Sequence, residues 1–216
     1  MRIVLVGLIL IGSILQTRAQ DLDYPDFRSK KDNFSKIRET DIRNDVACFA
    51  MAALDESIGK GALPTIPIKD YGSNYMTFEG TNASGETIQV IVKTTSFNIA
   101  KHKMFFSEKH LLRIDNHPYY GGVYGQPPHT AIESVTVVIG KDTVALPPAA
   151  YNDLYDPKFS FNEGGSTRTK NAVYLSNDKH TFYIYMLNID NRGAEYTWVI
   201  RDKQYIRRVV DFEFLQ

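Results

Sequence analysis

Four of the five histidines fall between positions 102 and 129, as His102, His110, His117 and His129, with Asp115 among them. Imidazole and carboxylate are the usual ligands of a catalytic zinc ion, which needs several of them converging on one point. The spacings here match no compact ligand pattern, such as two histidines one helical turn apart. Ordinary loop and strand histidines are therefore expected, with no metal and no cofactor. Cys48 is the only thiol. Nucleophilic use would need a histidine within reach and an electropositive setting. On a helical wheel Cys48 instead falls near Asp41, Asn44 and Asp55, and acidic neighbours raise a thiol pKa. A small residue at a helix contact is the simpler reading.

Loop motifs for catalysis are equally weak. Glu163-Gly164-Gly165-Ser166 lacks the Gly-Lys-Ser/Thr ending of a phosphate loop, and no helix pattern follows it. There is no Gly-x-Ser-x-Gly elbow for an esterase. The acid pair of a glycoside hydrolase is defined by separation in space, so 25 acidic residues leave it unrecognisable in sequence. No catalytic residue is assigned.

The most unusual local composition is the segment 116–129, NHPYYGGVYGQPPH. Tyr119, Tyr120 and Tyr124 stand among Gly121, Gly122, Gly125, Pro118, Pro127 and Pro128, after Asn116. Glycine lets backbone approach a ligand, proline stiffens the loop, and tyrosine offers an apolar face with a polar tip. Asn116, Tyr119, Tyr120 and Tyr124 are thus the candidate ligand-binding residues, for a sugar ring or a partner chain. The competing reading is that the rings fold back as a plug over a sheet end. A further pair lies near the C-terminus. A two-residue Asp202-Lys203 turn would set Trp198 across from Arg207 and Ile200 across from Tyr205, either a solvent-facing platform or a stabilising cross-strand pair. Asn33-Phe34-Ser35 and Asn82-Ala83-Ser84 are glycosylation sequons, meaningful only in a eukaryotic secretory pathway.

The elements that must carry these residues are mainly strands. Thr40 as N-cap, Asp41 in the first turn and apolar Ile42, Val46, Phe49, Ala50, Ala53, Leu54 and Ile58 predict one helix, ended by Gly59 and Gly61. Residues 20–39 are charged and without a period, a loose lead-in. From about Tyr75 the chain alternates strands and turns. The clearest hairpin joins 132–139 to 142–146 through Gly140-Lys141, a type II′ turn that sets Val137 against Val144 and Val135 against Leu146. Pro147-Pro148 stops that ladder, a single helical turn follows at 149–154, and 157–170 reads as loop. Strands at 171–176, 181–188, 195–201 and 204–214 form a meander. Apolar or aromatic residues on both faces of 181–187 mark a central strand. With no βαβ rhythm, the fold class is mainly β (α+β): an antiparallel sandwich or meander with one N-terminal helix packed on it, a barrel being the alternative.

Composition and the N-terminus set the compartment. Met1-Arg2, an apolar run over 3–15 and small residues at Thr17 and Ala19 form a secretory signal-peptide pattern, too short for a comfortable membrane span. An uncleaved anchor is the alternative. Cleavage after Ala19 leaves a single domain over 40–216 behind the lead-in. It also removes Arg2 and Arg18, leaving 23 basic against 25 acidic side chains, a charge near −2. A near-neutral mixed surface gives no long-range attraction for nucleic acid or anionic lipid. With one cysteine, no internal disulfide forms, and a chain of this size can bury a core without one.

These features point to a secreted or periplasmic non-catalytic binding or interaction domain, with a glycan or an envelope protein as partner. No nucleic acid and no stable membrane insertion after cleavage are expected. The alternatives are a hydrolase of extracellular polymers and an inhibitor-like or structural envelope protein. Exported protein is expected to begin at Gln20 or its cyclised form. Intact-mass measurement checks this, and recovery of uncleaved chain in membranes would refute it.

Overall fold

The computed structural model describes residues 32–50, 62–123, 125–187 and 194–212. The expected leader, the later part of the expected helix and Tyr124 lie outside these described residues. Among the described residues one α-helix, α1 (Thr40–Val46), precedes fourteen strands. In chain order they are β1 (Thr65–Ile66), β2 (Ile68–Tyr71), β3 (Tyr75–Thr81), β4 (Thr87–Ser96), β5 (Met104–Ser107), β6 (His110–Ile114) and β7 (Thr130–Ile139). There follow β8 (Asp142–Val144), β9 (Phe161–Glu163), β10 (Ser166–Arg168), β11 (Ala172–Leu175), β12 (Thr181–Leu187), β13 (Ala194–Arg201) and β14 (Gln204–Phe212).

Two five-stranded antiparallel sheets form the body. Sheet I runs β1-β11-β12-β13-β14 and sheet II runs β2-β3-β4-β7-β8. Neither closes on itself, so the sandwich expectation holds and the barrel does not. Their facing sides share one core, with Met76, Phe78, Val90, Val92 and Val137 from sheet II against Ile184, Met186, Trp198 and Ile200 from sheet I. Sheet II shows the one-sided alternation of a half-buried strand. In β4, Ile88, Val90, Val92 and Thr94 are buried while Thr87, Lys93 and Thr95 are exposed.

Sheet I differs because every residue of β12 is buried. Its second face carries Tyr183, Tyr185, Leu187, Val199 and Val209, covered by Phe34, Ile37, Ile42, Val46, Ala47, Ala50 and Leu63. The expected helix packs where its apolar stripe requires, but α1 ends at Val46 and a turn follows at 47–49. Thr40 is not the N-cap. Glu39 holds that position without a side-chain cap bond, its carboxylate being taken by Arg207 at 2.9 Å. The lead-in is not loose over its described part either. Asn33 caps a 3-10 turn over Phe34–Lys36, and Phe34 and Ile37 are buried.

Turn chemistry explains most registers. Gly140 has φ +62° and Val137 pairs with Val144, as expected. The ladder stops there, so Leu146 joins the core without pairing to Val135. Pro147 then caps a 3-10 turn over Pro148–Ala150. The segment 157–170 corrects the loop reading, since it contains the β9–β10 hairpin. Gly164 and Gly165, at φ +58° and +80°, make the two-residue turn with both centres left-handed.

At the C-terminus Ile200 pairs with Tyr205, but a bulge between Val199 and Ile200 leaves Ile206 without a partner. Trp198 therefore lies opposite Arg208, and Arg207 lies opposite Val199. One extra residue on a strand shifts every later pair by one. The Trp198–Arg207 pairing is thus replaced by Trp198–Arg208.

Gly140→Val is expected to lower stability by more than about 1 kcal/mol, because a β-branched residue resists positive φ. Denaturant unfolding measures this, and an unchanged midpoint would refute the turn assignment.

Candidate functional site

Residues 97–129 are an insertion between β4 and β7 that contains the β5–β6 hairpin. The structure divides the candidate residues of this insertion sharply. Tyr120 is 2 % exposed and belongs to the inter-sheet core. Its N–H donates to the Asp153 carbonyl (2.9 Å) and its carbonyl accepts from Tyr155 N–H (2.8 Å). The Arg208 guanidinium lies 5.6 Å from the centre of its ring. Burial, reinforced by Asp32 and Asp153, pushes the Tyr120 hydroxyl well above the ordinary phenol range. Tyr119 is half-buried, donates its hydroxyl to the Leu111 carbonyl at 3.1 Å and meets Tyr155 edge-on. Asn116 is exposed, at φ +64°, in the tight turn after β6. Tyr124 lies outside the described residues.

Tyr120 is therefore a core residue and not a contact surface, and Tyr119 is mostly spent on packing. The glycines show why. A Cβ on Gly125 would meet His110 Nδ1 at 2.6 Å, and one on Gly122 would meet an Asp156 oxygen at 2.9 Å. Close approach is needed here, but the approaching group is the protein's own chain.

The histidines are held separately. His102 Nδ1 is 2.7 Å from Asp115, and the imidazole stacks on Phe97 at 4.5 Å. This contact, with the Lys103 N–H, holds the Asp115 carboxyl below its usual range. His129 donates its backbone N–H to Asp156. Among the described residues no three His, Cys, Asp or Glu side chains converge as a metal site. Cys48 lies in the turn after α1 and donates its thiol to the Asn44 carbonyl at 3.2 Å. Trp198 is fully buried with its indole N–H on the Ala150 carbonyl at 2.8 Å, so it offers no solvent-facing platform. Asn33 of the first sequon is also buried and donates to Asp211 at 3.1 Å. Among the acids, Glu195 and Asp211 are cross-strand partners. Both are buried, with Tyr185 donating to Glu195 (2.8 Å) and Asn33 to Asp211.

A cleft of about 570 Å³ opens at the opposite end of β4, between the ends of the two sheets. Its floor is apolar, from Pro64, Ile88, Ile139, Leu175 and Phe182. Its rim comes from the β3–β4, β11–β12 and β13–β14 turns, which a sandwich gathers at one end. Asn82 shapes the first turn: its Oδ1 accepts from Ser84 N–H (3.0 Å) and Glu86 N–H (2.9 Å). Lys203 spans the two sheets, donating to Glu86 and to Asp142 at 2.8 Å each. Those two bonds, Asp142 foremost, raise the Lys203 ammonium, and the Lys203 bond lowers the Glu86 carboxyl. On the other side of the rim His180 Nδ1 lies 3.3 Å from Asp202. Lys203, Glu86 and Asp142 are thus matched among themselves, while Lys179 lines the rim as a further ammonium beside amides, hydroxyls and the apolar floor. Sequence reasoning missed this cleft because its residues come from separate turns, each unremarkable alone.

Tyr120→Ala is expected to cost about 3–5 kcal/mol of stability, as a large core ring does. Tyr119→Phe, which loses one hydrogen bond, should cost about 1 kcal/mol. Urea unfolding of the two variants checks the division, and equal small losses would refute it.

No family model, no curated protein and no solved structure matches this chain. Among the described residues no helix is long and apolar enough to cross a membrane.

Proposed function

We propose that this chain is an exported binding domain without catalysis of its own, and that its ligand seat is the cleft at the turn end of the sandwich. The observation that carries the reading is the pairing of an apolar floor with a rim on which Lys203 is shared between Glu86 and Asp142. A charged ligand would have to compete with Lys203 for Glu86 and Asp142, or with those carboxylates for Lys203. An uncharged ligand with an apolar face and many hydroxyls meets no such cost. It can lie on the floor and exchange hydrogen bonds with Ser84 and Asn177 at the rim. A neutral glycan has that chemistry. The rigid sheets fix the turns in place, so little ordering is lost on contact.

The test is a panel of neutral and acidic glycans, read for binding and, in parallel, for release of cleavage products. Binding to neutral glycans without turnover is expected. Ala83→Trp, which places bulk on an exposed position lining the cleft, should weaken that binding at least about tenfold while the melting temperature holds. Preference for acidic glycans, steady product release, or indifference to Ala83→Trp would each overturn the proposal.

A further inference from the structure

The large apolar side chains most exposed among the described residues are Phe105, Ile99 and Phe106, at 55 %, 54 % and 43 %. All three lie within eight residues of one insertion, at the end of the molecule opposite the cleft. Isolated exposed hydrophobes are ordinary, but a concentration of this kind marks a contact region. Its surroundings are basic. The insertion holds Lys101, Lys103, Lys109 and Arg113 against Glu108 and Asp115, a formal charge of +2 in a chain whose total is zero. Lys101, Lys103 and Lys109 are exposed, and no carboxylate pairs with them among the described residues.

Hairpin geometry narrows the kind of partner. In the β5–β6 pairing Phe105 lies opposite Arg113 while Phe106 lies opposite Leu111. Cross-strand partners share a face of the hairpin and successive residues point to opposite faces. Leu111 is buried in the small cluster with Ile114 and Tyr155, so Phe106 lies on that side and Phe105 on the other. The two rings therefore flank the hairpin near its turn, one on each face. A flat protein surface would cover one of them. A medium that surrounds the tip would cover both, together with lysines able to keep their ammonium groups at its polar boundary.

We propose that the tip of the β5–β6 hairpin docks reversibly onto an anionic phospholipid surface. Phe105 and Phe106 enter the boundary between headgroups and acyl chains. Lys101, Lys103 and Lys109 meet the lipid phosphates, since basic residues close to an anionic leaflet are drawn to it. This is peripheral contact and not a membrane span. Because the cleft lies at the other end of β4, docking leaves its mouth facing away from the lipid.

The experiment uses the full chain, so that the apolar run at 3–15 contributes equally to wild type and variants. Cosedimentation is measured with vesicles of phosphatidylcholine containing roughly one-third phosphatidylglycerol, and with vesicles of phosphatidylcholine alone. F105S/F106S and K101E/K103E/K109E should each bind the anionic vesicles at least about tenfold more weakly than wild type. Their melting temperatures should hold, since the replaced side chains are exposed. On neutral vesicles the advantage of wild type over the lysine variant should vanish, as it should at high salt on anionic ones. As a local probe, the Phe105→Trp variant should shift its emission to shorter wavelength on anionic vesicles, while wild type, whose single tryptophan Trp198 is buried, should not. Equal binding by wild type and both variants would overturn the proposal, as would unshifted emission from the Phe105→Trp variant. So would salt-sensitive retention on single-stranded DNA without retention on vesicles.

Discussion

Strands β12 and β13 present apolar or aromatic side chains to both sides of sheet I, so each face must be covered before the pair is stable in water. One face is met by sheet II and the other by residues 34–50 with Leu63. Most polar side chains within these strands are satisfied in place, the Trp198 indole by Ala150, Tyr183 by Asp45 and Tyr185 by Glu195, while the buried Tyr196 hydroxyl has no partner among the described residues. Each such bond matters because a buried polar group without a partner loses its hydration for nothing. The hydrogen bonds to Asp45 and Glu195 also explain why two carboxylates tolerate near-complete burial.

The N-terminal segment is held on sheet I by its buried apolar side chains and, around them, by charge. Asp32, Glu39 and Asp41 pair with Arg208, Arg207 and Arg201 respectively, while Asp45 reaches Ser176 and Tyr183. Arg208 is the most demanding of these. Its guanidinium, largely buried, binds Asp32 and Asp153 at once and also reaches the Ala150 carbonyl. A desolvated guanidinium needs this full set, because removing one carboxylate leaves charge in a poor solvent. The same group joins the lead-in, the turn after β8, the Tyr120 loop and strand β14. The Asp32 carbonyl adds a bond to the Val210 N–H at 2.8 Å, so the lead-in also closes part of the β14 edge.

The two ends of the sandwich are thereby specialised by different means. At one end short turns leave a cleft whose mouth is braced by Lys203 between the sheets. At the other a long insertion folds Tyr119 and Tyr120 inward and turns Phe105 and Phe106 outward. The sheets between them hold these two ends apart.

Local rules made much of the framework legible. Alternation of period two located β3, β4, β7 and the meander, and Gly140 announced its hairpin, because side-chain direction and turn conformation depend on neighbours in the chain. The residues 181–187 likewise announced a strand covered on both faces. Equally local signals were present but under-read: Gly164-Gly165 as a two-residue turn, and Phe34 and Ile37 as one apolar face of a short turn. Other features had no local signature. The bulge moves Trp198 from Arg207 to Arg208, and Arg208 in turn meets Asp32 and Asp153, which lie far away in sequence. Whether Tyr120 faces solvent or core depended on the close approach of its loop to residues 153–156, and on room beneath Arg208. The cleft required separate turns to meet at one end of the sandwich. Sequence determined where strands and turns form, since those follow from backbone preference and periodicity. Tertiary structure alone decided which aromatic rings, charges and turns share a site, because that depends on contacts between residues distant along the chain.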